Sequence, residues 1–257
     1  MPRLTIVLFV LVCVVSATAQ NPQRDPSAIA FLTQAVSASG GSNAISAVQD
    51  FTAQGTITHF WDDNPEQGQL TVKSRGLTQF RIDSIVPEGT WSSIVNNSAG
   101  EMVLPDGTVN PVAYHNTLNA GSMTWPLANV NAALLDQTTS IVDMGLVQVG
   151  SGQARQITIQ QNLQSDPTGL LSKLTRKDYF FDPSSFALLR VRFLVLPDHD
   201  IVNGGAKCVL DFGGYQIVNG LLVPFSIRIS LNRQQVWTIQ ISSIAFNTGL
   251  SDTDFQF

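Results

Sequence analysis

Apolar and polar residues alternate at every second position along much of this chain, and the pattern is clearest between Val223 and Leu231. There Val223, Phe225, Ile227, Ile229 and Leu231 interleave with Pro224, Ser226, Arg228 and Ser230, the period of a strand with one dry face and one wet face. The stretch 207–246 around it reads as three antiparallel strands in a row. Asn219-Gly220 supplies the positive φ angles that a type I′ hairpin turn demands, and Asn232-Arg233-Gln234 closes a second turn. The third strand places Trp237, Ile239 and Ile241 on one face and then Ile244 and Phe246 on the other. A bulge at Ser242-Ser243 would account for that slip and would curl the sheet.

Only two places switch to a helical period. Asp25-Pro26 is a matched helix start and Gly40-Gly41 a stop, with Ala28, Ile29, Leu32, Ala35 and Val36 on one stripe between them; a short helical piece at 43–48 follows. From Phe51 the pattern turns to short strands at 51–60, 69–74, 78–84, 91–96 and 101–104, separated by Asp62-Asp63-Asn64-Pro65, Pro87-Glu88-Gly89 and Pro105-Asp106-Gly107. An insert at 110–137 then interrupts them. Within it Trp125-Pro126 leads into Leu127, Val130, Leu134 and Leu135 at helical spacing, and the insert is read as a lid. Strands resume at 140–149, 154–160, 177–181 and 188–195. No βαβ alternation, fixed-period repeat or linker divides the chain. The expected fold is α+β: a strongly curved antiparallel sheet of about 11–12 strands, an unclosed half-barrel with helices on its concave face, because a flat sheet that wide is not stable.

Residues 1–19 read as a signal peptide. Arg3 is the positive flank, Leu4 to Val15 the apolar core and Ala17-Thr18-Ala19 the cleavage signal. That core is too short for a membrane-spanning helix, which needs about 20 residues, and Val12 before Cys13 is unlike a lipoprotein acceptor site. Removing the segment leaves 238 residues, read as one domain at 20–257, and moves the net charge from −5 to −6 by taking away Arg3. The mild acidity and the lack of a basic run argue against nucleic acid and against an anionic membrane surface as partners. Cys208 is then the only cysteine left, so no internal disulfide forms and the thiol reads as a small buried hydrophobe. The expected location is extracytoplasmic, periplasmic and soluble, and the expected state is a monomer.

Several segments resemble the LolA-like superfamily of periplasmic lipoprotein carriers and related lipid-binding proteins. They are the opening helix ending in Gly40-Gly41 and leading to 51–55, Tyr179-Phe180-Phe181-Asp182-Pro183 with the strand after it, and Tyr215-Gln216-Ile217-Val218-Asn219-Gly220-Leu221-Leu222-Val223-Pro224. The closing Ile244-Ala245-Phe246-Asn247 and Asp252-Thr253-Asp254-Phe255 are similar to the ends of such chains. The resemblance implies an apolar cavity that shelters acyl chains of a lipid or lipidated protein, with a membrane-associated donor or acceptor protein. The carriers' functional arginine matches no assignable position here. Candidate cavity residues are Phe225, Ile227, Trp237 and Ile239 from the strands and Trp125, Leu127 and Val130 from the lid. The same side chains would equally suit an ordinary core.

No reaction centre stands out. His59, His115 and His199 share no ligand spacing, and HExxH, CxxC and GxSxG are absent, so neither metal nor cofactor is expected. Asp198-His199-Asp200 lies between Pro197 and Val202-Asn203-Gly204-Gly205, the context of a solvated turn. Two other classes compete with a non-enzymatic binder. One is an outer-membrane barrel, disfavoured by short strands and by Asp252 and Asp254 in the last segment; the other is an extracytoplasmic hydrolase of unknown type.

Overall fold

The computed structural model describes residues 22–60, 64–119, 125–166, 168–196 and 205–257. The leader, Asp62-Asp63 and Asp198-His199-Asp200 lie outside the described residues. Thirteen strands form one antiparallel sheet that does not close. Its first limb runs through β1 (Asp50–His59), β2 (Glu66–Arg75), β3 (Gln79–Val86), β4 (Gly89–Asn96), β5 (Ala99–Val103) and β6 (Val109–Pro111). Its second contains β7 (Ser140–Val149), β8 (Gly152–Gln160), β9 (Lys177–Phe181), β10 (Leu188–Val195) and β11 (Ala206–Gly213), continued by β14 (Ser226–Leu231) and β15 (Gln234–Phe246). The limbs meet where β1 pairs with β15, leaving β6 and β7 as the two outermost strands, the latter bridged at Ile141 by residues 23–25.

The anticipated bulge lies at this meeting point. Gln54 pairs with Ser243 and Gly55 with Ile241, so Ser242 is the extra residue, and the skip returns Ile244 and Phe246 to the side that Ile239 and Ile241 face. The backbones approach closely here: a Cβ on Gly55 would lie 2.0 Å from the Gln240 carbonyl oxygen. A second shift, between Ile229 and Ser230 opposite Val236, adds curvature on the other side of β15.

The run from Val223 to Leu231 is not one strand. Pro224 has no N–H to give to a ladder, and there the chain passes from a separate hairpin into the main sheet. That hairpin joins β12 (Gln216–Val218) to β13 (Leu221–Val223) through Asn219 (φ 50°) and Gly220 (φ 81°). It docks on the end of the first helix, where the Leu222 N–H donates to the Ser39 carbonyl at 3.1 Å. Gly40 (φ 116°) permits the contact, since a Cβ there would meet the Gly220 oxygen at 2.7 Å.

The first helix, α1 (Pro26–Ala38), buries Ala28, Phe31, Leu32, Ala35 and Val36. Asp25 occupies the N-cap position without capping: its carboxylate accepts the Asp143 N–H of β7 at 3.0 Å, so the start signal rests on Pro26 alone. α2 (Ser42–Ser46) is one turn, α3 (Tyr114–Thr117) and α4 (Pro126–Leu135) occupy the insert, and α5 (Leu170–Leu174) precedes β9. The first residues of the insert belong to β6, and Leu135, expected on the apolar stripe of α4, is 65% exposed. A terminal 3-10 helix (Asp252–Phe255) crosses the outer face of β3 and β4, burying Phe255 completely. Asp50 holds the approach to it, accepting the Thr248 N–H at 2.6 Å and its hydroxyl at 2.8 Å.

Candidate functional site

The sheet's inner positions are mostly apolar and its outer positions mostly polar, so the bend encloses a greasy concavity. Helices fill one part of it. Phe31 of α1 lies edge-on to Phe181 at 5.8 Å and against Phe186 at 5.1 Å; Trp125 contacts Phe246 at 5.4 Å and Phe51 at 6.3 Å. Leu127 and Val130 are buried on α4. In the middle, Phe225, Ile227 and Ile239 belong to the same core, and the gap beside Ile227 and Ile239 holds only about 10 Å³, no more than one water's worth of space.

Beyond the helices the concavity is hollow. A space of about 420 Å³ lies between Phe80, Val95 and Met102 of the first limb and Phe193, Cys208 and Ile229 of the second. Leu231, Val236 and Trp237 complete the wall. Its size suits a small-molecule ligand. The Cys208 thiol is pushed up to about 12 by burial, as expected of a wall residue and not of a nucleophile.

A strap, residues 112–119, borders this hollow and is joined to both limbs. On the first limb the Val112 N–H donates to Gly100 at 2.7 Å. On the second, Asn116 acts as a backbone mimic, giving its amide N–H to the Leu196 carbonyl (2.8 Å) and taking the Leu196 N–H (3.2 Å). His115 Nε2 lies 3.4 Å from the same carbonyl, and the Asn119 amide donates to Leu194 at 3.4 Å. Asn119 Oδ1, buried at the hollow, has no hydrogen-bond partner among the described residues.

Lys177 anchors the strap from β9. It points inward with Tyr179 and Phe181, is 5% exposed, and donates to the Leu118 carbonyl at 3.2 Å. No carboxylate pairs with it among the described residues, and desolvation lowers its ammonium to about 8. His59 is buried with its Nε2 3.2 Å from Ser84 Oγ, and burial lowers its pKa. The described residues contain no group of three or more His, Cys, Asp or Glu able to hold a metal.

The seven residues chosen from the sequence therefore occupy three places. Trp237 lines the hollow, Phe225, Ile227 and Ile239 lie in the packed middle, and Trp125, Leu127 and Val130 join α4 to its neighbours. The hollow brings together others that the pattern did not single out, chiefly Phe80, Val95 and Met102 from β3–β5 and Asn116 and Asn119 from the strap. Inward alternation marks the first three as buried, but nothing local says that they face empty space.

No family profile matches the chain, and no curated protein does. Solved structures do. A LolA superfamily protein from Nitrosomonas europaea superposes with a TM-score of 0.54 at 12% identity, covering 90% of this chain and 98% of that one. The fold is LolA-like. Two further structures share the LolA-like shape. A domain named for outer membrane lipoprotein sorting, from Vibrio parahaemolyticus, gives a TM-score of 0.52 at 11% identity over 90% of this chain and 96% of that one. A DUF1329 family protein from Desulfovibrio piger gives 0.53 at 12% over 89% and 97%. At such identities the likeness is one of fold. The unclosed LolA-like sheet also disposes of the outer-membrane cylinder, which needs a closed ladder. Among the described residues no helix is long and apolar enough to cross a membrane.

Proposed function

We propose that this protein is an exported, non-enzymatic carrier or binding protein for lipid, acyl chains or lipoproteins. The observation that carries the reading is the hollow of about 420 Å³, apolar on its sheet side and bordered by a strap. Burying each methylene of an acyl chain is worth about 0.8 kcal/mol, so such a space binds a tail without specific polar contacts. Asn119 Oδ1 offers one acceptor to a ligand's polar end. Trp237 touches the chain at rest; Phe225, Ile227, Ile239, Trp125, Leu127 and Val130 form the ground over which a longer tail extends once α4 lifts. The sorting role named for the Vibrio parahaemolyticus domain is in keeping with this reading, as is a membrane-associated donor or acceptor.

The test is native purification with mass spectrometry of bound lipid, followed by titration with a fluorescent fatty acid. Wild type should take up the probe, and Val95→Trp or Met102→Trp, which fill the hollow, should weaken uptake at least about tenfold while unfolding cooperatively. Absence of both co-purified lipid and uptake, or uptake unchanged in the two folded variants, would sink the proposal.

A further inference from the structure

The chain is acidic overall, with 14 basic and 19 acidic residues, but its outer face is not uniform. On the first limb each cation of β2 and β3 has its own carboxylate. Lys73 pairs with Asp254 at 2.7 Å, Arg75 with Asp252, and Arg81 with Asp83 at 2.8 Å. Two of those acids arrive on the terminal 3-10 helix, so the chain covers and neutralises that face itself.

The second limb has no such cover. Arg190 and Arg192 project outward from β10, between inward Val191 and Phe193, and Lys207 and Arg228 project beside them from β11 and β14. Lys173 and Arg176 flank them from α5 and the residue before β9. Asp178 serves Arg192 (2.6 Å) and Arg176 (3.6 Å), and Asp211 serves Arg190 (2.6 Å) and Arg228 (3.0 Å). Lys173 and Lys207 have no ion pair among the described residues. Asp166, the next carboxylate, is turned onto the Ser172 N–H at 2.7 Å. Arg233 adjoins in the β14–β15 turn, where Asn232 is bonded to the backbone of Lys207.

Between the cations is a groove of about 320 Å³ with Leu174, Phe193 and Leu194 in its walls. Two leucines protrude there, Leu194 at 48% exposure and Leu170, one helical turn before Leu174, at 41%. Projecting leucines ringed by basic side chains have the composition of a surface that rests on an anionic bilayer. The rest of the chain carries seven basic and seventeen acidic residues, a net negative charge that the same bilayer repels, which favours approach by this face.

We infer that the outer face of β9–β11 and β14, with Lys173, Arg176, Lys207, Leu170 and Leu194 at its front, docks the protein on an anionic lipid surface. Phe193 lines both the groove and the hollow, and the strap is tied to Leu194 and Leu196. Docking therefore sets the covered end of the hollow beside the bilayer.

The experiment is vesicle flotation at low salt, comparing phosphatidylcholine alone with vesicles containing about one third phosphatidylglycerol. Wild type should float only with the anionic vesicles and be released when salt reaches about 0.5 M. The double variant Lys173→Gln/Lys207→Gln should bind roughly 25-fold more weakly, at about fivefold for each cation. Both side chains are exposed, so its unfolding midpoint should match wild type. Leu194→Asn should weaken binding with its fold intact. Equal binding to neutral vesicles, or unchanged binding by the double variant, overturns the inference. Failure to float at all also overturns it and points to an acidic protein partner. Flotation is read without fatty-acid uptake, so either can fail while the other holds.

Discussion

Beneath the helices and beneath the strap, one bent sheet meets two different covers. α1 and α4 present Phe31, Leu32, Trp125, Leu127 and Val130 to the strands, and nothing larger than a water is left in the middle of the core. The strap presents Val112 with the imidazole of His115 and the amides of Asn116 and Asn119, whose nitrogens reach the backbone of the opposite limb. A cover fastened by hydrogen bonds does not need to fill the space below it. Packing is therefore closest beneath the helices, with smaller spaces of about 230 and 210 Å³ at the flanks of α4, and the roomier hollow of about 420 Å³ lies beneath the strap.

The strongest way to break this contrast is to excavate the filled end. Phe181→Ala, at a fully buried ring touching Phe31, should cost about 3–5 kcal/mol in denaturant unfolding; a loss under about 1 kcal/mol would mean that this end is not tightly packed. Next is the fastening. Asn116→Ala removes both bonds to Leu196, worth about 2 kcal/mol together, and hydrogen exchange should quicken at the Leu196 amide while that of Phe181 is unchanged.

Lys177 sharpens the comparison through pH. Its folded-state pKa of about 8 lies below the usual lysine value of 10.5, so above pH 8 the unfolded chain binds the extra proton and folding gains as pH rises. The Lys177 contribution should be about 1 kcal/mol between pH 8 and 9 and absent in Lys177→Met; in wild type the raised Cys208 thiol, whose ordinary value is 9.0, offsets part of it in the same range. The smallest effect is expected at the hollow. Met102→Ala should cost less than about 1 kcal/mol, because that side chain already borders empty space; a cost matching that of Phe181→Ala would erase the distinction.

Much of this fold was legible in the alternation. The strands at 140–149, 177–181 and 188–195 have the expected bounds, because each has polar or turn residues at its ends. The bulge at Ser242 was visible because a one-residue slip moves every later side chain to the wrong face. The course of 216–231 was not visible: the alternation continues through Pro224 while the backbone changes partner, and pairing is long-range information. Phe31 escaped the helical stripe, although it sits at i+3 from Ala28 and meets Phe181. The hollow escaped for a deeper reason. Burial of Val95 or Ile229 reads the same in sequence whether the neighbour is a side chain or a vacancy. The bare basic face escaped because net charge averages over both limbs, and only the covered limb is balanced.

The seam between β1 and β15 has a consequence for the order of assembly. β1 is among the first strands synthesised and β15 the last, with Phe51 opposite Phe246 and His59 opposite Trp237. Until the final strand has emerged, β1 is an open edge, and the large sequence separation makes the closing step slow. The meander from β1 to β6 can pair neighbour by neighbour as it emerges, whereas the seam waits for the C-terminal strand and joins the two limbs late.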